Sequence, residues 1–182
     1  DKSIDMIKDF FSEMKAANIV PIACGGDHTI PLPILRALAV DEPGGILHLD
    51  AHAVTLDVIC GDKVNHATFM RRGYEEGLID PKRAIQVGMR GSRFTPEDIQ
   101  FGYDVGYSII SMDEYEEMGR AAAIEQIHQH LAETEVAVQA VLGHPDVPAG
   151  ATGTGTGTGV QIHGAGEADE PGSRETGQPR AE

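Results

Sequence analysis

The stretch from Ile46 to His52 constrains the fold more than any other part of this sequence. Its short apolar run is typical of a buried strand, and that run ends in Asp50 and His52. Because an extended chain repeats every two residues, His48, Asp50 and His52 point to the same side. Imidazole and carboxylate groups that converge where a strand ends are typical ligands of a divalent metal in hydrolases. The stretch therefore predicts a buried strand with a metal site at its carboxyl end.

The rest of the chain predicts an α/β fold. Apolar runs predict strands at 19–24, 46–50, 84–89, 108–111 and 136–142, and helical spacing predicts helices at 3–18, from 29 onward, at 66–72 and at 121–131. Alternating strands and helices favour a three-layer sandwich in which a mainly parallel sheet is covered by helices on both faces. Ligands bind such sheets beyond the carboxyl ends of the strands, where His28, in the sequence Gly25–His28, and Asp50 both fall.

Charge and cysteine content narrow the classes of function. The 182 residues include 14 Lys and Arg against 29 Asp and Glu, a net charge of -15. This excess argues against nucleic acid or an anionic membrane as partner, and it fits a small cationic substrate. Cys24 and Cys60 form no CxxC pair, so we expect reduced thiols and a cytoplasmic protein. The sequence contains no apolar run of transmembrane length and no recognisable signal peptide.

The end of the chain differs in composition from the rest. Residues 143–182 contain 10 Gly and only three large aliphatic residues, Val147, Val160 and Ile162. Such a segment has too little apolar surface to cover a face of the sheet. We therefore expect a folded domain over residues 1–149 and a Gly-rich, disordered tail over 150–182.

Several motifs together resemble one family, although each alone is weak evidence. The motifs are Cys24–Ile30, His48–His52, Asn65–Arg72, and Gly77–Arg83 followed by Gln86–Gly91. With them the chain resembles the ureohydrolases, the arginase and agmatinase family, and is most similar to the agmatinase and guanidinobutyrase branch. Family members extend beyond this chain at both ends. The resemblance therefore implies a fragment of an arginase-like domain, incomplete at both ends.

The resemblance also implies a reaction and a set of site residues. Family members use two manganese ions, whose bridging hydroxide attacks a guanidinium carbon and releases urea and an amine. By resemblance, His28 would bind one Mn²⁺, His52 the other, and Asp50 would bridge both. His66 matches the histidine that assists proton transfer to the leaving amine. The family further implies homo-oligomers, either trimers or hexamers.

The chain departs from the family pattern at three metal-binding positions. Val54 stands where the pattern Asp-Ala-His-x-Asp has its second Asp, and Asp57 would need a rebuilt loop to replace it. Val141 and Gly143 stand where a later Ser-x-Asp-x-Asp pattern has carboxylates. Because two divalent ions would then be poorly neutralised, we expect one weakly bound metal at most and little or no hydrolysis.

Three interpretations follow from these observations. The leading one is a manganese-dependent amidinohydrolase of the ureohydrolase family that acts on a linear guanidino compound. Agmatine, guanidinobutyrate and guanidinopropionate are not distinguished. The second is an inactive, truncated pseudoenzyme that packs against related subunits. The third is a metal-dependent deacetylase of similar architecture, which the segments Gly25–His28 and His66–Arg72 disfavour.

Overall fold

The computed structural model describes residues 2–91, 95–132, 138–142 and 160–163. The helices are α1 (Lys2–Ala16), α2 (Pro31–Leu38), α3 (Phe69–Glu75), α4 (Glu97–Val105) and α5 (Met112–Ala132). The strands are β1 (Ile22–Cys24), β2 (Gly44–Leu49), β3 (Ile79–Met89), β4 (Ser108–Ser111), β5 (Val138–Leu142) and β6 (Val160–His163). Within this part of the chain, no helix is both long enough and apolar enough to cross a bilayer.

The strands form one mainly parallel sheet, which confirms the predicted fold class. The strand order is β1-β6-β5-β2-β3-β4. β2 pairs in parallel with β5 on one side and β3 on the other, and β4 pairs in parallel with β3. β6 is the exception, because it runs antiparallel to both β1 and β5. β2 therefore lies inside the sheet, with the residues that follow it at the carboxyl ends of the parallel strands.

Helices cover both faces of the sheet, as predicted. Successive residues of β2 point to opposite faces. On one face, Leu47 and Leu49 pack in a cluster with Ile85 and residues of α5. On the other face, Ile46 belongs to the main core, whose fully buried members include Leu32, Leu35, Phe69, Met70 and Ala84 from α2, α3 and β3. The ring of His48 contacts Phe69, so this histidine lies on the face covered by α3.

Several local predictions were wrong, for identifiable reasons. α1 begins at Lys2 and ends at Ala16, whereas the helix was predicted at 3–18. α4 was not predicted, because Gly102 lowers helix propensity; here it lets the helix approach Ile109 and Tyr107 closely. α5 begins well before residue 121, and its first turns are interrupted at Gly119, where φ is 76°.

The tail prediction is corrected at one place. Val160–His163 forms strand β6, so these four residues are not disordered as we expected. The boundary between residues 149 and 150, Gly143 and most of the tail lie outside the described residues. The division into a domain over 1–149 and a tail over 150–182 therefore stays a prediction.

We expect Phe69→Ala to lower the free energy of unfolding by about 3–5 kcal/mol, because it leaves a cavity in the core. Phe69 is 0% exposed, whereas Phe10 on α1 is 54% exposed. Phe10→Ala is therefore a matched control, expected to cost well under about 1 kcal/mol. Urea unfolding followed by circular dichroism measures both. Equal losses would contradict the assignment of Phe69 to the core.

Candidate metal centre

His28 reaches the site from a tight turn between β1 and α2. Gly25 and Gly26 have φ angles of 100° and 76°, a backbone region that glycine enters without strain. The carboxylate of Asp27 then accepts a hydrogen bond from the backbone N–H of Thr29 at 2.6 Å. This local bond ends the turn and directs His28 towards the interior, where it is 7% exposed.

Asp50 lies at the centre of the candidate site, just beyond β2. Its Oδ1 accepts a hydrogen bond of 3.0 Å from the backbone N–H of His52. Its Oδ2 lies 3.2 Å from Nε2 of His48 and 3.6 Å from Nδ1 of His28. Nδ1 of His52 lies 3.5 Å from Oδ1. One buried carboxylate therefore contacts three imidazole rings.

The ionisation of Asp50 follows from these contacts. Burial alone would raise the pKa of this carboxyl group. Hydrogen bonds from His48 and His52, and electrostatic attraction to the rings of His48 and His28, outweigh burial and hold the pKa of Asp50 well below its usual range. Asp50 is therefore an anion at neutral pH, the state in which a carboxylate binds a metal.

His28 presents a neutral ring to this anion. Burial, followed by the nearby His48, lowers the pKa of His28 to about 4 against the opposing effect of Asp50. A neutral imidazole has a free lone pair, which metal binding requires. Within the described part of the chain, the buried Nε2 of His28 has no hydrogen-bond partner. The ring of His28 thus lies in a polar site, and the described residues offer its Nε2 no hydrogen-bond partner.

The spacing of the ligand atoms suits a single ion. Among the described residues, one side-chain nitrogen or oxygen each of His28, His48 and Asp50 lies within 4.8 Å of the other two. Ligands bound at about 2.1 Å to a tetrahedral ion are roughly 3.4 Å apart. The 3.6 Å between His28 Nδ1 and Asp50 Oδ2 is close to that separation.

His52 lies beside this group but on its solvent side. Its side chain is 46% exposed, and its ring lies against the backbone of Gly91. A Cβ at position 91 would come within 2.3 Å of the ring, so a larger residue there would require the ring of His52 to move. Sequence reasoning brought His28, Asp50 and His52 together correctly. Their roles as metal ligands stay predictions. The sequence placed His48 on the same side as Asp50 but did not predict its 3.2 Å contact with the Asp50 carboxylate.

His66 lies on an exposed turn before α3 and does not open that helix. In this turn Asn65 Oδ1 accepts a bond of 3.0 Å from the backbone N–H of Ala67, and the backbone N–H of Asn65 donates to Thr68 Oγ1 at 3.1 Å. His66 makes a minor contribution to lowering the pKa of His28. Its catalytic role stays a prediction.

Asp57 does not take the place of the carboxylate missing at position 54. Val54 is 5% exposed and belongs to the main core. Asp57 instead accepts a hydrogen bond of 2.7 Å from Nη2 of Arg72 and lies 3.7 Å from Nε of Arg71. The bond from Arg72 also lowers the pKa of Asp57. The Asp57 carboxylate forms an ion pair with Arg72 of α3, so the loop that carries Asp57 does not bring it to the site.

Position 141 lies next to the site but supplies no ligand atom. In the register between β2 and β5, Val141 is the partner of His48. Gly143 lies outside the described residues. The described residues at the centre thus provide one carboxylate with neighbouring imidazoles. This donor set fits one divalent ion and does not neutralise two.

We expect the free energy of unfolding to fall as the pH is lowered from 6.5 to about 4. His28 takes up a proton near pH 6.5 in the unfolded chain but only near 4 in the folded chain. Between these values the folded state binds fewer protons, so stability decreases by about 3 kcal/mol in total. Urea unfolding at several pH values across this window measures the slope.

Two variants show whether His28 causes this slope. His28→Gln removes the titrating ring, and the pH dependence should become much flatter. His128→Asn changes an exposed histidine on α5 and should keep the dependence of the unchanged chain. A steep slope that survives in His28→Gln would contradict the assignment.

The sequence of this chain is similar to those of several known proteins. The model of the arginase family matches residues 1–160. A guanidinopropionase of Pseudomonas aeruginosa is 42% identical over 125 residues, which is 68% of this chain and 39% of that protein. A mitochondrial agmatinase of Gallus gallus is 38% identical over 109 residues, 59% of this chain and 32% of that protein.

The fold of this chain is also similar to that of a solved structure. The proclavaminate amidinohydrolase of Streptomyces clavuligerus superposes with a TM-score of 0.66 at 27% identity, covering 76% of this chain and 46% of that one. This chain therefore spans less than half the length of these relatives. The family match covers most of the chain and includes the turn of His28 and the end of β2. This chain belongs to the arginase family.

Proposed function

We propose that the protein containing this chain is a manganese-dependent amidinohydrolase that cleaves a linear, agmatine-like guanidino compound. The observation that carries the proposal is the buried pair of a neutral His28 and an ionised Asp50 at the carboxyl end of β2. The similarity to proteins named guanidinopropionase and agmatinase supports the substrate class.

The proposed reaction adds water to the guanidinium carbon and breaks its bond to the substituted nitrogen. The carbon leaves as urea, and the nitrogen takes up a proton and leaves as an amine. His28, Asp50 and His52 would hold the metal, and the chemistry supplied by Mn²⁺ is a bound water with a lowered pKa. His66, exposed on the turn before α3, would carry the proton to the leaving nitrogen. The ionised Asp50 also favours a cationic guanidinium nearby.

Other parts of the proposal rest on sequence arguments alone. We propose a cytoplasmic homo-oligomer, a trimer or hexamer, that binds neither nucleic acid nor membrane. The net charge of -15 supports a cationic substrate over an anionic one.

A second candidate function is an inactive member of the same family. Buried Val54, the engagement of Asp57 by Arg72 and the Val at position 141 favour it. With one carboxylate at the centre, two doubly charged ions would repel each other with little compensation. This alternative predicts a chain that has the family's fold but does not catalyse hydrolysis.

We expect the purified chain to bind one Mn²⁺ weakly and to release urea slowly, because a second ion lacks carboxylate ligands. Metal analysis after Mn²⁺ loading and dialysis gives the stoichiometry. Urea release is measured with agmatine, guanidinobutyrate and guanidinopropionate, and acetyl-lysine tests the deacetylase alternative. Two tightly bound Mn²⁺ with rapid urea release would refute the single-ion expectation. Absence of both would favour the inactive alternative.

We expect Val54→Asp to increase Mn²⁺ affinity, with Val54→Asn as the matched control. Both side chains tolerate the left-handed backbone at this position, where φ is 56°, better than valine does. Only Asp adds a charged ligand, and its burial without metal costs stability. The melting temperature of Val54→Asp should therefore rise on Mn²⁺ addition more than that of Val54→Asn. Equal responses would show that position 54 does not reach the ion.

A further inference from the structure

His48 and Gln86 form a buried polar pair that the proposed chemistry does not use. Both side chains are 0% exposed. They lie directly opposite each other on neighbouring parallel strands, since His48 pairs with Gln86 in the register of β2 and β3. Nε2 of Gln86 lies 2.9 Å from Nδ1 of His48. A buried polar pair of this kind needs a structural or functional reason.

The orientation of the Gln86 amide follows from its second contact. Its Nε2 lies 2.8 Å from the carbonyl oxygen of Ala53, and a carbonyl oxygen only accepts hydrogen bonds. The amide atom facing Ala53 is therefore the nitrogen. Turning the amide over would place two oxygens against each other. In the described part of the chain, Oε1 has no partner and faces the backbone of Gly102.

This orientation determines which nitrogen of His48 carries hydrogen. The amide nitrogen donates one hydrogen to Ala53 and the other to Nδ1 of His48, so Nδ1 is an acceptor. The hydrogen of the ring is then on Nε2, which lies 3.2 Å from Oδ2 of Asp50. His48 thus donates to Asp50, and its Nε2 has no lone pair for a metal.

We propose that His48 is a positioning residue, oriented by Gln86, which holds the Asp50 carboxylate in place for an ion without binding that ion itself. The hydrogen bond from His48 to Oδ2 of Asp50 complements the bond of 3.0 Å that the backbone N–H of His52 donates to Oδ1. Each oxygen of Asp50 thereby receives one hydrogen bond and keeps a lone pair directed elsewhere. Hydrogen bonds to a ligating carboxylate orient it and tune its affinity. The inference that His48 positions Asp50 for an ion rests on the proposed function, whereas the assignment of the His48 tautomer does not.

The first test determines the tautomer of His48 in the metal-free chain. Long-range ¹H–¹⁵N spectra of the chain labelled at its histidine rings, assigned with His48→Gln, should show hydrogen on Nε2 of His48. Gln86→Leu removes the donor to Nδ1 and should give a mixture of the two tautomers. Gln100→Leu, which changes an exposed glutamine on α4, should leave the His48 signals unchanged. Hydrogen on Nδ1 in the unchanged chain, or no effect of Gln86→Leu, would overturn the proposal.

The second test separates positioning from ligation. On addition of Zn²⁺, a diamagnetic probe, Nε2 of His48 should keep its hydrogen while the His28 signals shift. Replacement of that hydrogen by the metal would overturn the proposal. His48→Gln should lower Mn²⁺ affinity by about 10- to 100-fold with unchanged stoichiometry, whereas abolished binding would indicate a ligand. If the unchanged chain binds neither ion, the proposed function fails, and the tautomer experiment still decides the role of Gln86.

Discussion

The buried negative charge of Asp50 is the constraint on which the rest of the site depends. A carboxylate removed from water is stable only if hydrogen bonds and neighbouring groups replace its hydration. Here the backbone N–H of His52 donates a hydrogen bond to one oxygen of Asp50, and the ring of His48 donates to the other. The ring of His28 faces the carboxylate from another loop. Loss of any of these contacts would leave a buried charge less well compensated. The site is therefore a cooperative unit and not three separate ligands.

The sheet explains how distant parts of the chain meet at this charge. β2 lies between β3 and β5, so residues far apart in sequence become its immediate neighbours. β3 brings Gln86 opposite His48, and β5 brings position 141 opposite the same residue. Since the three strands run in parallel, their carboxyl ends meet at one edge. Position 141 therefore lies beside the strand that carries His48 and leads to Asp50.

Phe69 links the hydrophobic core to the site. The ring of Phe69 is fully buried in the core, and its centroid lies 5.0 Å from that of His28 and 5.5 Å from that of His48. Val54 belongs to the same core, although φ there is 56°, a conformation that costs a β-branched residue about 1–3 kcal/mol. Its carbonyl oxygen accepts a hydrogen bond of 3.2 Å from Met70 N–H. Packing thus stabilises a backbone geometry that Asp or Asn would adopt more readily.

The sequence alone determined the layered α/β fold and the position of Asp50 and His52 at the end of a strand. These features follow from local periodicity, and β4 was predicted with its observed bounds, 108–111. The same periodicity placed His48 beside Asp50, but only the tertiary structure decided that its ring bonds to this carboxylate, because Gln86 from another strand orients the ring. It also decided that Asp57 pairs with Arg72 and that Gly102 sits within a helix. Such outcomes depend on contacts between distant segments, and local sequence patterns do not specify those contacts.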